Sequence, residues 1–164
     1  VLAEGKKPMN RTTVDRKSER ELVVTRAFNA PAVRVFEAWT KPELLKQWWV
    51  PKSVGIAFLS CEIDARTGGS YRFVFSHPSS KEPMAFFGRY LEAVSPSRLV
   101  WTNEEGGEEG PVTTATFEQR GEATLFVLHD LHPSKEAFDA AMATMGTSGY
   151  AEQFEQLDAL LASL

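Results

Sequence analysis

The chain has 164 residues, 43% of them hydrophobic, and 18 Lys or Arg stand against 22 Asp or Glu for a formal net charge of −4. That is enough apolar content for one domain with a sizeable core, and the acidic balance excludes a protein that works mainly by tracking phosphates. No apolar run approaches the ~18 residues of a membrane-spanning helix, residues 1–20 lack the apolar block of a secretory signal, and a single cysteine, Cys61, excludes an internal disulfide and fits a reducing cytoplasm.

Charge is unevenly spread. Residues 1–20 hold six Lys or Arg against three acids, and the remainder twelve against nineteen. A polar, basic leader with little apolar surface is expected to be disordered, so the domain is expected to occupy residues 21–164.

The first expected element is a strand over Glu21 to Phe28, ended by Asn29-Ala30-Pro31. Pro31 suits the start of a helix whose apolar face is Val35, Phe36 and Trp39. Thr40-Lys41-Pro42-Glu43 has the form of a capping box and predicts a second short helix burying Leu44, Leu45 and Trp48. From Ile56 the period changes to two: Leu59, Cys61 and Ile63 alternate with Ser60, Glu62 and Asp64. Strands follow over Ser70 to His77, Met84 to Val94, Leu99 to Thr102, Val112 to Glu118 and Ala123 to His129. Gly68-Gly69, His77 to Ser80, Ser95-Pro96-Ser97, Glu104 to Gly110 and Gly121 are the turns between them. The last stretch, Thr147 to Leu164, places Tyr150, Phe154, Leu157, Leu161 and Leu164 on one face, with Ser148 as the N-cap and Met142 and Met145 as a backward extension. The sum is an α+β chain with an antiparallel seven-stranded sheet, two short helices after the first strand and a long C-terminal helix.

Ala30-Pro31 through Trp39, Thr40, Trp48 and Pro51, then Asp64 with Gly68-Gly69-Ser70-Tyr71-Arg72-Phe73, carry a resemblance that continues in Gly88-Arg89-Tyr90-Leu91-Glu92, Pro96-Ser97-Arg98-Leu99-Val100-Trp101-Thr102 and Gly149-Tyr150. Taken in that order, these pieces resemble the activator-of-heat-shock-ATPase-homologue branch of the START-like superfamily, which includes polyketide cyclases and lipid carriers. The resemblance implies a helix-grip fold, in which the sheet wraps the C-terminal helix and often leaves a cavity. Members bind ligands, catalyse cyclisation or dehydration, or regulate a chaperone ATPase, so the fold does not fix the function.

The candidate ligand-binding residues are Phe73, Phe75, Phe87, Trp101 and Phe117 on the strands and Met145, Gly149, Tyr150 and Phe154 on the helix. Arg89, whose parity mates are Phe87 and Leu91, is either a rim residue or an anchor for an anionic group, and His129 would look into the cavity beside Leu125 and Val127. Adjacent apolar pairs, Phe86-Phe87 and Leu125-Phe126, leave open which sheet face meets the helix; the other would be free for a second copy of the chain. Cys61 reads as a packed thiol, and His129-Asp130-Leu131-His132 as a strand-end cluster. No catalytic residue, metal site or cofactor motif is assigned. The preferred expectation is a small hydrophobic molecule bound between sheet and helix. The alternatives are a chaperone-ATPase-regulating surface and a cyclase or dehydratase using the same cavity through His129, Arg89, Tyr71 or Tyr90.

Overall fold

The computed structural model describes residues 12–79, 81–106, 110–145 and 148–164. Residues 1–11 of the basic leader, Ser80, the centre of the Glu/Gly loop at 107–109, and Thr147 fall outside them, as does the Met145 side chain.

The strands are β1 (Thr13–Arg16), β2 (Glu21–Phe28), β3 (Ala57–Ile63), β4 (Ser70–Ser76), β5 (Met84–Val94), β6 (Arg98–Thr102), β7 (Val112–Arg120) and β8 (Ala123–Leu131). The helices are α1 (Ala32–Thr40), α2 (Pro42–Leu45), α3 (Lys135–Met145) and α4 (Ser148–Ser163). All neighbouring strands pair antiparallel, in the order β1-β2-β8-β7-β6-β5-β4-β3.

The sheet therefore has eight strands, not the seven expected. The additional one is β1, drawn from the stretch whose polarity argued for disorder. An edge strand needs little apolar surface, because its main gain is a ladder of backbone hydrogen bonds to a strand already in place. Here Val14 faces Val24 and Arg16 faces Leu22. The Arg16 side chain then reaches α3, lying 4.3 Å over the Phe138 ring and 2.9 Å from Asp139.

The capping box at Thr40 is also absent. Helix α1 runs through Thr40, whose hydroxyl donates back to the Phe36 carbonyl at 2.9 Å, and α2 starts instead at Pro42 with Lys41 as its cap. Proline fixes the entry torsion and needs no hydrogen-bond partner there. At the start of α1 the amide of buried Ala32 donates to Gln119 Oε1 at 2.6 Å. A long side chain from β7 thus satisfies a donor that Pro31 cannot cap.

Helix α4 buries Phe154, Leu157, Leu160 and Leu161, while Leu164 is exposed. Each such side chain contributes roughly 1.5 to 3 kcal/mol. Its polar side is equally committed. Gln156 donates to the carbonyls of Trp48 and Val50 and accepts from the Lys52 amide, all at 2.9 Å, Gln153 bonds the Trp49 carbonyl, and Glu152 accepts from Ser53. The segment after α2 is thereby fastened to the C-terminal helix.

Candidate functional site

Register separates the two faces of the sheet. One row runs across five strands, pairing Leu22 with Asp130, Asp130 with Thr113, Thr113 with Trp101 and Trp101 with Tyr90. Leu22, Thr113 and Tyr90 are buried, so this row belongs to the inner face, toward α1 and α4. Parity then puts Phe126 and Leu128 inside and Leu125, Val127 and His129 outside.

Of the expected lining residues, Phe73, Phe75, Phe117 and Phe154 are buried on the inner side, and Trp101 and Tyr150 are half-buried there. Phe154 and Phe117 join the rings around Trp39, which stacks on Phe126 at 5.1 Å and meets Trp48 at 4.7 Å. Phe73 and Phe75 lie in a second group around Trp49, which stacks on Phe75 at 5.4 Å. Phe87, Arg89 and His129 are elsewhere: Arg72 covers the Phe87 ring, Arg89 pairs with Glu104 at 2.8 Å while largely exposed, and His129 Nε2 lies 2.8 Å from Glu21. Gly149 faces open space, with no described non-neighbour atom within 4 Å of a Cβ built on it. An open recess of about 350 Å³ lies beside Arg26, Asn29, Glu155, Asp158, Ala159 and Ala162 and touches none of the expected residues.

Where the inner face reaches solvent, near Trp101, it turns polar. Thr113 Oγ1 donates to Asp130 Oδ1 at 2.5 Å and receives Asn103 Nδ2 at 3.0 Å. The Tyr71 hydroxyl donates to the Thr102 carbonyl at 2.8 Å and lies 3.4 Å from Asn103 Oδ1, and the Tyr150 hydroxyl lies 3.4 Å from Asp130 Oδ2. Burial pushes the Asp130 carboxyl above its ordinary range, against the opposing pull of Thr113, His132, Tyr150 and His129. Burial likewise raises the hydroxyls of Tyr71 and Tyr150. Two ring nitrogens in the same core, Trp39 Nε1 and His132 Nε2, are buried without a hydrogen-bond partner among the described residues.

Cys61 lies on the inner face opposite Phe73, and burial raises its thiol to about 11, which leaves it unreactive near neutrality. Among the described residues no group of three or more His, Cys, Asp or Glu could hold a metal ion. No described helix is long and apolar enough to cross a membrane.

Sequence reasoning named Tyr71 but missed Asp130, Thr113 and Asn103 as parts of one network. Asp130 shares the parity of Phe126 and Leu128, but alternation alone does not say which face of β8 is buried.

The model of the Activator of Hsp90 ATPase homolog 1-like protein family matches residues 29–162. The chain belongs to that family. Among solved structures, a protein from Rhodobacter sphaeroides is 25% identical with a TM-score of 0.83, the match covering 94% of this chain and 99% of that one. One from Chromobacterium violaceum is 30% identical with a TM-score of 0.68, covering 85% and 96%. An AHSA1-like protein from Aeromonas hydrophila is 14% identical, with a TM-score of 0.64 over 84% and 92%, and shares the fold. No curated protein matches the sequence. Each of these matches spans nearly the whole length of the solved structure, and the helix-grip arrangement is common to them.

Proposed function

We propose that the domain acts by docking a partner on its outer sheet face, and that the partner is a chaperone ATPase of the Hsp90 kind, in keeping with the family's name. The observation that carries this reading is how the apolar residues divide. On the inner side Phe28, Trp39, Trp48, Phe126 and Phe154 meet ring to ring between sheet and helix. The outer face also carries apolar and hydroxyl residues: Thr114, Thr116 and Val127 lie in adjoining rows, and Leu91 and Val94, the latter opposite Arg98 of the Arg98–Glu92 pair, are 46% and 48% exposed. An apolar and hydroxyl-rich face of this kind is suited to a protein partner. Calorimetric titration of the chain into an Hsp90-type chaperone should show saturable binding, and Leu91→Asp with Val94→Asp should weaken it at least about tenfold by placing charge in a desolvated contact. Absence of heat at micromolar concentrations of both proteins would overturn the reading.

A second reading, binding of a small molecule on the inner side, is favoured by the half-buried state of Trp101 and Tyr150 and the open surroundings of Gly149. The two roles use opposite faces of one sheet and are compatible.

A further inference from the structure

Two acids lie where the sheet meets α4, and they are treated differently. Asp158 is held by Arg26 at 3.0 Å. Asp130 has no Lys or Arg partner among the described residues; the charged groups that act on it are His132 and His129. Its Oδ1 receives a short hydrogen bond from Thr113, but among the described residues its Oδ2 has only the Tyr150 hydroxyl at 3.4 Å, beyond the usual range for an O–H donor. A carboxylate withdrawn from water is costly unless a cation or several donors compensate it. Asp130 is not sealed off, being half-buried in a row that continues through Thr113 to half-buried Trp101.

We propose that Asp130 anchors the ammonium group of a small aromatic amine whose ring lies against Trp101. The proposal rests on the small-molecule reading above and names its ligand class. The ammonium completes the coordination of Oδ2, which the described residues leave weakly bonded, and supplies the positive charge that Arg26 gives to Asp158. Asp130 and Trp101 stand two strands apart, about 10 Å between backbones, a span that an aromatic ring and a short alkyl link can bridge. The Trp101 face attracts both the ring and the adjacent cation. The surroundings discriminate against an anion, since Glu105 and Asp130 both act electrostatically on Tyr71 at this end of the sheet, and the net charge of −4 favours the approach of cations.

The test uses the full chain and three probes of one shape: 2-phenylethylamine, 2-phenylethanol and phenylacetate. Binding is followed by calorimetry and by the indole resonance of Trp101. The proposal expects one saturable site for the amine, with affinity at least about tenfold above that of the alcohol, as a charged hydrogen bond to a carboxylate requires, and no binding of phenylacetate. Asp130→Asn, which keeps an acceptor for Thr113, should bring the amine down to the affinity of the alcohol. Equal binding of amine and alcohol, unchanged in Asp130→Asn, would overturn the anchor while leaving the small-molecule site standing. If none of the three probes moves Trp101, both fall. The comparison of amine with alcohol is made on the unmodified protein, so the test survives a variant that fails to fold.

Discussion

Arg26 Nη2 lies 3.0 Å from Asp158 Oδ2, and this contact ties the inner face of β2 to the C-terminal helix. Arg26 is 5% exposed and Asp158 25%. The guanidinium also donates to Thr12 Oγ1 at 2.9 Å and lies over the Phe28 ring. A strand that otherwise turns Leu22, Val24 and Phe28 inward thus carries one cation among them.

Removing one partner should be far worse than removing both. Asp158→Ala leaves a buried guanidinium without its acid and should cost about 3 kcal/mol, the low end for a buried pair because Asp158 is partly wet. Arg26→Met combined with Asp158→Leu should recover most of that loss. Urea unfolding of the single and double variants measures both, and equal losses in the two would show that the pair adds net stability.

Deleting residues 12–20 removes β1 together with the hold of Arg16 on Phe138 and Asp139. If that costs ~2 kcal/mol, the thermal midpoint should fall by about 4 to 8 °C for a domain of this size. An unchanged midpoint would mean that β1 adds nothing to the sheet. Arg16→Ala should reproduce part of the fall, since its guanidinium spans strand and helix.

Much of this architecture is legible in the sequence, because it rests on periodicity. Phe154, Leu157 and Leu161 recur at helical spacing and are buried as that spacing requires, and Tyr71, Phe73 and Phe75 alternate and all point inward. What the pattern could not supply was information carried by contacts distant in sequence. β1 exists because β2 offers an edge, and α3, which appeared only through Met142 and Met145 as a backward extension of the last helix, is an element of its own that begins at Lys135 and buries Phe138. Parity alone left the two faces of β8 equivalent. The buried partners Thr124 and Thr113 settle the choice, placing Phe126 and Asp130 inside and His129 outside.

The raised Asp130 carboxyl has a measurable consequence. Its folded-state value lies above the ordinary 3.8, so the folded protein binds this proton more readily than the unfolded chain. The associated stability is fully present below the ordinary value and is lost as pH rises through the raised one. The difference in unfolding free energy, wild type minus Asp130→Asn, should therefore decline with increasing pH over that window, by at most about 1.4 kcal/mol per unit. His132, His129, Tyr150 and Thr113 are the groups that modulate it. A difference that is flat or rises with pH would show that the carboxyl is not destabilised by burial.

The most direct measurement of the outer-face account is the ATP turnover of an Hsp90-type chaperone during titration with this chain and with a variant carrying Leu91→Asp and Val94→Asp. Both positions are exposed and outside the core, so the variant should keep the thermal midpoint of the parent. The account predicts a saturable change in turnover with the parent and at least about a tenfold higher half-saturation with the variant. Turnover indifferent to the parent at stoichiometric excess, or equally responsive to both, would contradict it.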